Sequence, residues 1–270
     1  MNLKRPILAG VALAMAAAPL DACIELISLP AMPQQLPGEL FKMPVHIQVE
    51  PLDIEIPLPG GPVKMNLRAK VVDPLQDYAQ MISAYEADPA GHASFAQRSD
   101  YAAALIFTGR VRDAIPVLER LEADFPGKYS TAMNLGTAYE LVDDLPKAIA
   151  WIGTGVQRKP EAHEGSEWLH LAILETKQKL KTDPRWLQRH SVLDKDRDRG
   201  NFETERALEF QLNERLYFIK ESDPVMCDLF YEAARLSDNA NKRAYFARQA
   251  KRYGDLRNRQ ILELPGVRRI

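Results

Sequence analysis

The chain has 270 residues, 46% of them hydrophobic and 27% charged, with a formal net charge of -2. That balance is the composition of a soluble globular protein long enough for one or two domains and a sizeable core. Without a basic excess it gives no electrostatic basis for nucleic acid or an anionic membrane surface as a partner. Prolines are uneven: 12 of the 19 lie in residues 1–89, so the front of the chain is built differently from the rest.

Lys4 and Arg5 precede an uncharged apolar run from Ile7 to Ala18. About a dozen residues fall short of the roughly 20 that span a bilayer. Charge, apolar run and small-residue exit together predict a secretory signal peptide over residues 1–22; a buried N-terminal helix is the alternative. Leu20-Asp21-Ala22-Cys23 resembles the bacterial lipobox. The resemblance implies that Cys23 is lipidated, that the chain is exported, and that Ile24 after the cysteine favours outer-membrane retention. An unanchored periplasmic or secreted chain is the other outcome. The membrane would then be met only through the lipid anchor. With Cys23 lipidated, Cys227 is a lone thiol of the small, buried kind; otherwise one disulfide is open in an oxidising compartment.

Residues 23–44 carry prolines at 30, 33, 37 and 44 and predict an extended tether. Across 45–72, Val45, Ile47 and Val49, then Ile54, Ile56 and Leu58, alternate with polar residues. After Pro59-Gly60-Gly61-Pro62, Val63, Met65, Leu67, Ala69 and Val71 do the same. Two period-2 runs around a Gly-Gly turn predict a β-hairpin. Its apolar face needs a cover, either the helices that follow or a partner's sheet edge.

Asp73-Pro74 signals a helix start that Asp88-Pro89 ends. Beyond it the chain repeats itself at 34 residues: Pro126 and Pro160, Ala114 and Ala148, Leu118 and Ile152, Leu105 and Tyr139, Ala102 and Gly136. A period of this size marks stacked helical hairpins. Over about 95–181 the pattern resembles the tetratricopeptide repeat. The second repeat supplies Leu135, Gly136, Tyr139, Ala148, Ile152, Gly155 and Pro160. The first supplies Tyr101, Ala102, Leu105, Ala114, Leu118 and Pro126, with Leu121 at a normally small position and Pro116 inside the second helix. A third begins at His163 with Leu169 and Ile173 and is cut short at Asp183-Pro184. The expected fold is therefore mostly α: a TPR-like α-solenoid of antiparallel helix pairs over 73–181, an N-terminal β-hairpin, and a C-terminal helical extension over 182–270. Small residues let helix axes approach while large ones fill the space between hairpins.

The resemblance also implies a groove lined by the first helix of each repeat. Its candidate residues are Ser99, Ala103, Ile106 and Phe107, then Met133, Thr137, Glu140 and Leu141, then Glu167 and Leu171. Such a groove is mostly apolar with acidic spots, suited to an apolar or basic segment of a protein or peptide partner. The competing expectation is that residues 182–270 fold over it.

In that extension Glu203–Lys220 reads as an amphipathic helix with Leu208, Leu212, Leu216 and Ile219 on one face. Ser222-Asp223-Pro224 restarts the chain, and Val225–Leu236 with Asn241–Tyr253 reads as a further hairpin or cap. The basic tail, Arg252, Arg257, Arg259, Arg268 and Arg269, reads as a solvated end. His163, Glu167 and His170, at i, i+4 and i+7, would share one side of a helix and could hold zinc. Asp194 to Glu205 mimics a calcium loop, but Arg199 stands where the turn wants Gly, and Lys195 and Arg197 would repel the ion. No nucleophile motif or linked acid–base pair is present in the sequence. The chain thus reads as a non-catalytic interaction or scaffold protein of the bacterial cell envelope, with no cofactor. A metal-dependent protein and a structural accessory with a filled groove are the alternatives.

Overall fold

The computed structural model describes residues 46–56, 63–72, 74–90, 94–193, 201–219 and 222–267; for 46–56, 63–72, 74–77, 164 and 201 it describes the backbone alone. The expected signal peptide, Cys23, the tether and the calcium-like stretch 194–200 lie outside the described residues. The backbone of His46–Ile56 (β1) and Val63–Val72 (β2) pairs antiparallel, with Ile47 opposite Val71 and Ile54 opposite Met65. The connecting turn, both strands' side chains and whatever covers them lie outside the described residues.

The other described elements are helical. α1 is Pro74–Ala87, α2 Phe95–Phe107, α3 Val111–Asp124, α4 Tyr129–Leu141, α5 Leu145–Arg158 and α6 Glu167–Thr182. After the single turn α7 (Trp186–Arg189) come α8 (Asn201–Leu216), α9 (Pro224–Leu236), α10 (Ala240–Tyr253) and α11 (Asn258–Glu263). Local chemistry sets these limits. Ser94 caps α2 by accepting from the Gln97 N–H at 3.3 Å, and Asp144, two residues before Pro146, caps α5 by accepting from the Lys147 N–H at 3.4 Å. Gly109, at φ +82°, supplies the left-handed residue that turns the chain from α2 into α3. α3 runs unbroken through Pro116.

Short connections fold each helix back on the one before, and each helix from α1 to α6 packs on its successor. One core joins α1 to α5 and includes Leu105, Leu118, Leu121, Leu135 and Ile152, all fully buried, with Leu174 reaching in from α6. Close approach is built in at two glycines. A Cβ on Gly136 would stand 2.3 Å from Ile152 Cδ1, and one on Gly155 would stand 2.3 Å from Met133 Sδ. Arg158 pins the end of α5 to α3, donating to Glu122 at 2.5 and 2.9 Å and to the Lys128 carbonyl at 2.7 Å.

A second core joins α6 to α10. Leu169, Ala172 and Ile173 leave α6 on a different side from Leu174 and meet Leu208 and Leu212 of α8, Phe230 of α9 and Phe246 of α10. α6 is thus shared by both cores. Arg257, expected at a solvated tail, is instead buried. Its Nε donates to Asp228 at 2.8 Å and its Nη2 to the His190 carbonyl at 2.6 Å, and the same carboxylate accepts from Ser191 Oγ and the Val192 N–H at 2.8 and 2.7 Å. Of the rest of that tail, Arg252 and Arg259 are exposed, and Arg268 and Arg269 lie outside the described residues. Arg257 thus clasps α9 to the segment after α7. Cys227 is buried beside it, and burial pushes its thiol up to about 11, which keeps it unreactive.

Candidate functional site

Immediately before α6 the chain is not α-helical. Ala162–Gly165 forms a 3-10 turn in which His163 and Gly165 take left-handed backbone, at φ +50° and +73°. Glycine does this without steric penalty, whereas His163 has to be held there by its surroundings. His163, Glu167 and His170 consequently converge from two elements and not along one helix face.

Glu167, at the start of α6, lies in the middle of a buried polar seam. Its Oε1 accepts from His163 Nδ1 and, at 3.4 Å, from the hydroxyl of Tyr129 at the start of α4. Its Oε2 lies 3.4 Å from His170 Nδ1, and the other nitrogen of His170 donates to Glu140 Oε2 at 2.8 Å. Glu140, at the end of α4, also accepts from Lys177 at 2.6 Å and lies 3.5 Å from Arg215 Nη2 of α8. The side chains of His163, Glu167 and His170 are at most 1% exposed.

The seam holds its carboxylates ionised. Burial alone would raise the Glu167 pKa, but hydrogen bonds from His163 and His170 and the charge of both rings outweigh it and bring Glu167 down to about 2. For Glu140, burial is likewise opposed, by the charges of Arg215 and Lys177 and the His170 hydrogen bond, and its carboxyl sits well below the usual range. Each negative charge is thus matched by cationic or imidazole groups of the protein itself. A zinc centre would require both imidazoles and the carboxylate to aim lone pairs at one point. Here ring N–H groups aim at carboxylates, and among the described residues no set of three or more His, Cys, Asp or Glu is arranged to hold a metal.

The candidate groove residues lie along α2, α4 and α6, and they are covered. Ser99, Ala103, Ile106, Phe107, Met133, Thr137, Glu140 and Glu167 are buried, with Leu141 and Leu171 partly so. Much of the cover is α8 and the residues after it. Phe210 stacks on His163 with ring centroids 4.9 Å apart, Arg215 reaches Glu140, and Tyr217 and Phe218 pack on Phe107 at 5.0 and 5.7 Å. α8 is buried along one broad face. Ala207, Leu208 and Leu212 join the α9 core, and Thr204, Gln211 and Arg215, at i, i+7 and i+11, form a buried polar line that runs between them. Sequence reading finds the leucine stripe and misses the polar one. The only signal for it is that three polar residues share helical spacing.

Two open clefts lie elsewhere, one of about 380 Å³ between the α2–α3 and α4–α5 turns, the other of about 610 Å³ beside Lys251, Asp255 and Leu262. Among the described residues no helix is long and apolar enough to cross a membrane. No family model, curated protein or solved structure matches the chain.

Proposed function

We propose that the protein is a non-catalytic interaction scaffold of the bacterial cell envelope, built on a tetratricopeptide-like array and tethered through a lipid on Cys23. The β-hairpin packs against the array in this reading, and the solenoid runs from α1 to α6 with α7 to α11 as its extension. The close approach at Gly136 and Gly155 supports the resemblance, because both are positions the repeat pattern reserves for small residues. The observation that carries the function is α8 itself: α4 and the turn before α6 hold a helix through the Arg215–Glu140 charge pair and the Phe210–His163 ring contact. A surface that seats one helical segment has the chemistry to seat another.

Site-specific photo-crosslinking from the array in envelope preparations tests the scaffold. One reproducible protein adduct is expected, and no adduct from any array position contradicts it. Fractionation tests the tether: Cys23→Ala is expected to move the chain from membrane to soluble envelope fractions. The convergence of His163, Glu167 and His170 is the one observation favouring a metal-binding protein. Stoichiometric zinc in purified protein, lost on His170→Ala, would establish that reading instead.

A further inference from the structure

Ser191, in the segment after α7, sets a single hydroxyl between two carboxyl groups of α9. Its Oγ lies 2.8 Å from Asp228 Oδ2 and 2.9 Å from Glu232 Oε1. A serine hydroxyl has one hydrogen to give and two lone pairs to accept with. It donates to one of these oxygens, and the other contact needs a hydrogen from the carboxyl side. The Leu193 N–H, at 3.2 Å, takes one of the lone pairs.

The remaining partners decide which carboxyl carries that hydrogen. Asp228 meets N–H donors at both oxygens, Arg257 Nε at 2.8 Å on Oδ1 and the Val192 N–H at 2.7 Å on Oδ2. Glu232 accepts from Arg235 Nε on Oε2 at 2.7 Å, while its Oε1 faces Ser191. A hydrogen on Glu232 Oε1 fills the second lone pair of Ser191 Oγ and leaves the serine hydrogen for Asp228. Each of the three contacts of Ser191 Oγ then holds one hydrogen. With both carboxyls ionised, one pair of oxygens would face each other without a hydrogen, at side chains only 0 and 6% exposed. Burial, joined by the Asp228 charge, pushes the Glu232 carboxyl above its ordinary range against the pull of Arg235. Burial raises Asp228 too, opposed by Arg257 and the Val192 N–H. Arg257 also lies over the Tyr231 ring, and the His190 ring stacks on Trp186.

We infer that Glu232 is held as a neutral acid donating to Ser191, and that Glu232, Ser191 and Asp228 form a proton-dependent latch between α9 and the segment after α7. When Glu232 gives its proton to solvent, Ser191 keeps Asp228 and loses Glu232, so the segment is held from one side. Because the folded Glu232 titrates above the unfolded 4.5, the contribution of the latch is complete below 4.5 and is lost as pH rises through the folded value. Glu167 responds in the opposite direction, losing its contribution in acid. The latch stands whether or not the array binds a partner.

The test uses the full chain with isotope-labelled glutamate carboxyls, read by NMR. The Glu232 signal, assigned by its loss in Glu232→Gln, is expected to titrate above 4.5, and the amide protons of Val192 and Leu193 are expected to move with the same midpoint. A midpoint at or below 4.5 overturns the inference, and so do amides that stay still while Glu232 titrates. Where Glu232→Gln does not fold, the two amides of the unaltered chain report the midpoint by themselves. Urea unfolding gives a second readout. Glu232→Gln offers Ser191 an amide N–H at every pH, so its unfolding midpoint is expected to pull ahead of the unaltered chain between about pH 5 and about pH 8. A difference that stays constant across that range overturns the inference.

Discussion

Between α2 and α5 the buried contacts are made by apolar and small side chains, with ion pairs such as Arg158–Glu122 at the edge; beneath α8 the buried contacts include a chain of charges. The first contact is kept by exclusion of water and by shape, and shape is sensitive to single methyl groups. The second is kept by matching ionised carboxylates to imidazole, ammonium and guanidinium groups, so it depends on protonation. One is unconditional scaffold; the other is a joint whose strength solution conditions can change.

Cutting the joint at its centre should have the largest effect. Glu140→Ala leaves Lys177, His170 and Arg215 facing an uncompensated buried site, and urea unfolding is expected to show a loss of about 3–5 kcal/mol. Acid comes next. Glu167 titrates at about 2 in the folded protein against an ordinary 4.5, so the unfolded chain takes up the proton first as pH falls. Its contribution is fully present above pH 4.5 and lost as pH drops toward 2, on the order of 3 kcal/mol. Glu167→Gln should flatten that acid slope, whereas Ile152→Ala should lower the curve at every pH and leave the slope intact.

The apolar contact is sharpened by smaller changes. Gly136→Ala drives a methyl against Ile152 and its backbone, and calorimetry is expected to show a loss of about 1–3 kcal/mol. Gly155→Ala should cost less, because the nearest atom is the thioether of Met133, which can bend away. Asp144→Ala removes the cap of α5 together with an exposed ion pair to Lys147 and should cost about 1 kcal/mol in the same assay.

The apolar half was legible in the sequence because each buried position recurs. Ala102 and Gly136, Ala114 and Ala148, and Leu118 and Ile152 are each 34 residues apart and all lie inside. The polar half was legible only in its acids and imidazoles. Glu140 and Glu167 stand at positions the repeat assigns to a groove, but what covers them comes from a helix with no repeat signature. Arg215 looks like a solvent-facing residue beside the leucine stripe of α8, and only Glu140, far away in the chain, explains its burial. Arg257 was misplaced for the same reason: a buried cation is recognised by its partner, here Asp228, and not by its neighbours in sequence. His163 left the expected helix because a left-handed turn at His163 and Gly165 intervenes, and no periodicity reports such a turn.

The claim under all of this is that α8 is joined to the array through Glu140 and Arg215. A double-mutant cycle on Glu140→Ala and Arg215→Ala, read by urea unfolding at neutral pH, measures that joint directly. The coupling energy is expected to be at least about 1 kcal/mol. Single-mutant losses that simply add, within about 0.3 kcal/mol, would contradict the account.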